Sequence, residues 1–403
     1  VPKSAPHTVP SAVPTTAPTV VTFDEQCREP RQATEELRGT AVAADASGDW
    51  VVLGHAEAIR VASDADTFSS AVSTHLQVPN GLDGEQHSAF RQVIDPFFGA
   101  ERMAALEPVL RTVAEDLVAS LPRDTPVDAV AGIGSVFAVR AQTRWLGWPA
   151  DLEPRLLAWM DENHAATRSG DRDRTAGVAA AFDAIIEEVV SARTGETDGQ
   201  TDVTTELLNS TVQVDGQPAR PLSRPEVVSI LRNWTGGDLG SIAACVGVVL
   251  QGLAAAPDLQ ARMRVAGPAE RSAIIDELLR RDDPFVSNRR VATCPVDLGG
   301  QHVEAGQRVR IHWTAANRDE QVFGDPDQIR TGSHAADNLV YGVGPHVCPG
   351  RPLATLELVV LAEVLLGACS IALSEDIPTS REVSPVGGYA RVGIILRPYR
   401  QEK

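Results

Sequence analysis

The chain has 403 residues, and 54 acidic against 36 basic side chains give a formal net charge of −18, which argues against a nucleic-acid partner, since that needs a basic face. Apolar residues make up 43%, ample for a large core, yet no run of about 20 apolar residues is present to anchor the chain in a membrane. Five scattered cysteines, Cys27, Cys245, Cys294, Cys348 and Cys369, include no C-x-x-C pair, which argues against a zinc ribbon or disulfide scaffold and fits a reducing, cytoplasmic setting.

Residues 1–20, rich in Pro, Ala, Thr and Val, lack the basic start and continuous apolar core of a signal peptide. An extended arm is expected there, with 21–403 as one domain. Val51-Val52-Leu53-Gly54 and Ala58-Ile59-Arg60-Val61 read as short strands or strand–helix junctions. A polar loop carrying Phe68 follows from Asp66 to Gly84. His87 and Arg91, four apart, share one helix face and on their own are equally a solvated pair. From Ala104 to Ala192 apolar residues recur at three- and four-residue steps, the mark of scaffold helices, with a charged break at Arg168–Arg174. Gly195–Gly216 is polar and reads as a loop or small turn element.

Ser223-Arg224-Pro225-Glu226 carries a capping box and an early proline, so a long helix is expected from there to about Ala256. Its middle, Asn233-Trp234-Thr235-Gly236-Gly237-Asp238-Leu239-Gly240-Ser241, holds three glycines, each costing about 1 kcal/mol in a helix relative to Ala. They make sense where something approaches the backbone closely, and the acid among apolar neighbours also needs a reason. A simple helix break is the plain alternative. Further on, Glu277 and Arg280 stand three apart near a helix end, and Phe285-Val286-Ser287-Asn288-Arg289-Arg290 reads as a strand. Ala316-Asn317-Arg318-Asp319, Phe323-Gly324-Asp325-Pro326-Asp327 and the turn Gly387-Gly388-Tyr389 complete the pattern.

The most informative stretch is Tyr341-Gly342-Val343-Gly344-Pro345-His346-Val347-Cys348-Pro349-Gly350-Arg351. It sets Cys348 in a tight loop feeding a helix N-terminus, where free N–H groups favour an anion and are expected to lower the thiol pKa. A lone cysteine in such a turn is otherwise most often just buried. The whole string resembles the haem-binding signature of cytochrome P450, with Tyr341 where that family usually has Phe. The Gly-Gly-Asp of the central helix and the Glu-x-x-Arg pair occur in the matching order.

That resemblance implies a mainly α fold with small β-sheets and a long central helix over haem b, whose iron takes Cys348 as its axial thiolate. It places Gly350 in the cofactor loop and assigns His87, Arg91, Arg290 and His346 to the haem propionates. Phe68, Gly236, Phe285, Val286, Ser287 and Tyr389 would face substrate. Glu277 and Arg280 would form a buried ion pair locking a meander that contains Arg318. Asp238 would be the acid of the oxygen pocket. The family's following Thr, which helps deliver protons to dioxygen, is Leu239 here. Thr235 or Ser241 is then the substitute hydroxyl, or ordered water takes the role, or peroxide is the better oxidant. The resemblance further implies a bacterial monooxygenase, a monomer that takes O2 and a small organic substrate. Electrons would come from a separate ferredoxin with its reductase, or from an iron–sulfur flavin reductase. Asn233-Trp234-Thr235, with Pro79-Asn80-Gly81 ahead of the His87 helix, is similar to aromatic O-demethylases acting on methoxyphenols. Hydroxylation of a terpenoid, fatty acid or natural-product scaffold is the alternative, and a non-catalytic haem-thiolate binder or sensor is the rival of another class.

Overall fold

Apolar residues at helical spacing dominate the chain, and helices carry most of the computed structural model, which describes residues 20–193 and 202–399. The expected arm, apart from Val20, and part of the polar 195–216 segment lie outside the described residues. The helices used below are α1 (Gly84–Ile94), α2 (Ala100–Ser120), α3 (Val136–Leu146), α4 (Glu153–Ser169), α5 (Arg172–Ser191), α6 (Arg224–Thr235), α7 (Asp238–Ala255), α8 (Pro268–Arg281) and α9 (Arg351–Ala368). The fold is mainly α with small sheets.

The largest sheet has six strands: β1 (Thr22–Phe23), β2 (Val42–Asp45), β3 (Trp50–Val52), β4 (Phe68–Ser69), β5 (Ser287–Ala292) and β6 (Arg308–His312). They run in the order β1-β2-β3-β6-β5-β4. Pairing β5 with β6 antiparallel sets Arg290 opposite Val309, and β4 hangs on the far edge with Phe68 opposite Ala292. This sheet has its own small core, separate from the main helical core formed by α2, α3, α7 and α9.

Ala58–Val61 is helical rather than strand-like. Gly54 caps a helix over His55–Ser63 that buries Ala58, Val61 and Ala62 at helical spacing. The charged break stands as a helix boundary, with left-handed Gly170 ending α4 and the Asp171 carboxylate accepting from two N–H groups at the start of α5. A capping box opens α6 at Ser223. The α6–α7 stretch, Arg224–Ala255, is long and apolar enough to cross a membrane, but 67% of its apolar window is buried inside the protein, as befits a core helix.

Candidate active site

The cysteine loop is shaped by two left-handed glycines, Gly342 and Gly344. At Gly344 even a methyl group would stand 2.7 Å from the Ala62 carbonyl oxygen, so only glycine lets the loop lie against that helix. The Cys348 N–H donates to Tyr341 O at 2.9 Å. Arg91 on α1 clamps the loop from above, donating from Nη1 to Pro345 O and Val347 O, each at 2.9 Å, while its Nε binds Asp95 at 2.6 Å. Arg91 therefore gives its Nη1 group to the loop and its Nε to Asp95. Gly350 precedes α9, and the Gly350 and Arg351 N–H groups act on the thiol in the expected direction. They do not win. Burial, with the nearby Asp238 charge, pushes the Cys348 thiol up to about 11, which corrects the expected lowering. Only a bound cation would make the thiolate the favoured form at neutral pH.

Basic groups gather beside this loop. The His87 and His346 rings lie 4.1 Å apart, and His346 Nε2 meets Ser70 Oγ at 3.0 Å and Asp83 at 3.4 Å. Burial, then His346 and Arg91, drive the His87 imidazole down to about 4, so as it stands it offers a hydrogen bond and not a charge. Arg290 is buried and donates only to its neighbour's carbonyl, Arg289 O at 2.8 Å. Among the described residues no carboxylate pairs with it, and burial lowers its pKa while distant Asp83 opposes. A buried guanidinium without a counter-ion is costly, and a carboxylate brought by a cofactor is its natural complement. Among the described residues no group of three His, Cys, Asp or Glu side chains is placed to hold a metal ion. A single cysteine thus needs a macrocycle to supply the remaining ligands, and haem fits this donor set.

The central helix breaks where the glycines are. The Gly237 N–H reaches back five residues to Arg232 O at 3.3 Å, a π-type turn between α6 and α7. Beyond it, Ser241 Oγ donates to Gly237 O at 2.7 Å, bridging the break. Leu239 is 1% exposed and packs in the helical core. Thr235 is also buried, its hydroxyl committed to Leu231 O at 2.6 Å. Of the two hydroxyls proposed to replace the missing threonine, Ser241 alone keeps accessible surface. Asp238 has no donor within reach among the described residues. Part of its surface is accessible although protein encloses it fully, so that part faces an interior space, and burial raises its carboxyl to about 7.

The substrate-facing assignments divide. Phe68 is fully buried in the six-stranded sheet, because pairing with β5 turns its ring into that sheet's own core. Tyr389 is buried too, its ring under Arg381 and its hydroxyl accepting from Arg381 Nη2 at 3.0 Å. Val286 is buried and spends its carbonyl on the Trp313 N–H. Phe285 and Ser287 keep part of their surface, as does Gly236, where an added Cβ would stand 3.1 Å from the Phe182 ring. Two surface clefts of about 460 and 480 Å³ lie elsewhere, and neither is lined by Cys348, Asp238 or Arg290.

On α8, Arg280 binds Glu277 through two bonds of 2.9 Å and donates to Asn317 O at 2.8 Å and Pro326 O at 3.0 Å. His334 and the Arg330 N–H complete the carboxylate's shell. Arg318 is buried as well, donating to Asp327 at 3.1 Å and to Glu35 at 3.3 Å. Two polar residues were not singled out by sequence. Glu357 on α9 is fully buried with neither oxygen partnered among the described residues, and burial followed by Asp238 pushes its carboxyl well up from the ordinary value. The acid inside the run Leu356-Glu357-Leu358 is the signal that marks it. The other, His164 on α4, lies against α7 and carries no sequence signal.

A family model described as Cytochrome P450 matches residues 272–389. A probable cytochrome P450 of Sinorhizobium fredii is 27% identical, the match covering 78% of this chain and 75% of that protein. Linalool 8-monooxygenase of Pseudomonas putida is 26% identical, over 80% of this chain and 83% of its own length. Among solved structures, cytochrome P450 CYP101C1 superposes with a TM-score of 0.81 at 25% identity, over 96% of this chain and 100% of its own. A mutant of P450 EryK with erythromycin B gives 0.78 at 24%, over 93% and 96%.

Proposed function

Because this chain belongs to the cytochrome P450 monooxygenase family, we propose that it holds haem b through Cys348 Sγ and oxidises a phenolic methyl ether, removing the methyl group. The observation that carries the haem assignment is Cys348 itself, clamped by Arg91 and facing the same enclosed region as Asp238. When bound, haem-thiolate supplies the activation of dioxygen and the oxidation of the substrate. The chain's own residues supply the rest. Arg290 and His346 receive the propionates, with His87 as a neutral donor. Asp238, its carboxyl raised by burial to about 7, holds or yields a proton at neutral pH, and Ser241 Oγ, one turn along the same helix, would relay that proton after releasing Gly237 O. Electrons come from a separate ferredoxin or iron–sulfur flavin partner.

This assignment of the hydroxyl is open to measurement. Ser241→Ala is expected to lower product per reducing equivalent and to slow turnover by about 10² or more, the typical worth of a positioned proton donor. Leu239→Thr, inside the core, is expected to leave coupling unchanged. If Ser241→Ala couples like wild type with dioxygen, the relay does not run through Ser241. Peroxide-driven turnover, which brings its own protons, is then the arm that separates a peroxygenase from a reductase-dependent enzyme.

The substrate class rests on how the loop ahead of α1 is tied down. The Val78 N–H donates to Ser229 Oγ at 2.9 Å, and Asn233 Nδ2 donates to Val78 O at 2.8 Å. Val78, just ahead of the 79–81 loop, is thus held to α6 through both of its backbone groups, which favours a small, closed distal space. In a spectral titration 2-methoxyphenol is expected to shift the haem toward high spin and to release formaldehyde on turnover. A second reading, hydroxylation of a terpenoid, draws on the relative named linalool 8-monooxygenase. A strong shift with linalool and none with 2-methoxyphenol would replace the first reading by the second. Spectral shifts with no oxidised product from either would leave a ligand binder.

A further inference from the structure

We propose that His164 on α4 selects the substrate by hydrogen bonding a hydroxyl group on it, remote from the carbon that is oxidised. This rests on the monooxygenase reading and deepens it: the substrate is an alcohol or phenol, not a bare hydrocarbon or ether.

Where a Cβ on Gly240 would be, the His164 Nε2 stands 3.2 Å away. The imidazole therefore rests on α7 at a residue with no side chain, next in sequence to Ser241 and two after Asp238. A larger residue at 240 would push it back. Next to it the roof is apolar: Trp159 on α4 stacks on Phe182 of α5 with centroids 4.0 Å apart, and Phe182 covers Gly236, one turn before Gly240. Trp159 Nε1 is already used by Val178 O. One turn along α4, Arg168 is engaged by Glu382 of the C-terminal hairpin. Among the described residues His164 has no hydrogen-bond partner, although it is only half exposed.

Both nitrogens of this partly accessible imidazole lack a protein partner among the described residues, and a ligand that displaced solvent from them would cost their hydrogen bonds. A ligand hydroxyl restores one, as donor or acceptor, because neutral histidine carries one of each. Burial first, then Arg168, lowers the His164 pKa, against Glu382 and Asp161, so the ring is neutral at pH 7. A neutral ring suits an uncharged hydroxyl and gives a carboxylate no ion pair. A site built around such a bond discriminates against the analogue that lacks the hydroxyl, since the imidazole is then buried under the ligand unpaired.

The test uses the holoprotein and reads ligand binding from the haem spin shift, not turnover. Two matched pairs serve as probes, 2-methoxyphenol with methoxybenzene and linalool with myrcene. Wild type is expected to bind the hydroxyl-bearing member of one pair about 5- to 30-fold more tightly. His164→Phe, which keeps a ring and loses the bond, should bring the two within about 2-fold, and His164→Gln should restore part of the preference. His164→Leu is judged by the same rule should the Phe variant take up haem poorly. No preference in either pair for wild type, or a preference that survives His164→Phe, overturns the proposal. A preference confined to linalool over myrcene and lost in His164→Phe would keep His164 and reject the methoxyphenol reading.

Discussion

Cys348→Ser is expected to abolish the red-shifted Soret band of the ferrous–CO complex and, with it, measurable monooxygenation. The reason is geometric as well as chemical. The loop offers iron a single soft donor, and among the described residues no histidine, cysteine or carboxylate cluster stands ready to replace it. A serine hydroxyl is a far weaker donor, and its oxygen would sit in the same buried setting that already pushes the Cys348 thiol up to about 11. The fold itself should survive, because the bonds that shape the loop come from Arg91, Tyr341 O and the two left-handed glycines, none of which uses the sulfur. Retention of the red-shifted band in the serine variant would remove Cys348 from the iron.

Glu277→Ala is expected to act on stability instead. Arg280 is 0% exposed and Glu277 3%, and the pair ties α8 to the segments around Asn317 and Pro326. Removing the carboxylate leaves a buried guanidinium facing only carbonyls, at a cost of about 3–5 kcal/mol. That is a large share of the 5–15 kcal/mol typical of a folded domain. His334 Nδ1 and the Arg330 N–H lose an acceptor in the same stroke. Expression of folded holoprotein should fall steeply, with a lower urea midpoint for what remains. Burial alone would raise the Glu277 carboxyl, but Arg280, the Arg330 N–H and His334 hold it below the usual range. The stabilisation is therefore whole above the unfolded value of about 4.3 and drains as pH falls. An alanine variant with wild-type midpoint and full haem loading would show the pair to be dispensable.

The sequence by itself determined whatever depends on neighbours in the chain. The Cys348 loop is contiguous, its glycines demanded by the turn. Glu277 and Arg280 stand three apart on one helix face, so their pairing follows from helix geometry. The capping box at Ser223 and the glycine break in the central helix were likewise written locally. Tertiary structure decided which face each side chain presents. The i→i−5 bond at Gly237 places an extra residue in the turn, and each residue turns the helix by about 100°. That phase shift sends Leu239 into the core and leaves Ser241 on the accessible side, where counting from the acid pointed to position 239. Phe68 went to a separate sheet core because an edge strand pairs by register with residues more than two hundred positions away. His164 meets Gly240 only because α4 crosses α7, and no local pattern encodes a crossing. The sign of the Cys348 pKa shift was decided the same way, since helix N–H groups are a local feature while desolvation is the sum of everything packed around the thiol.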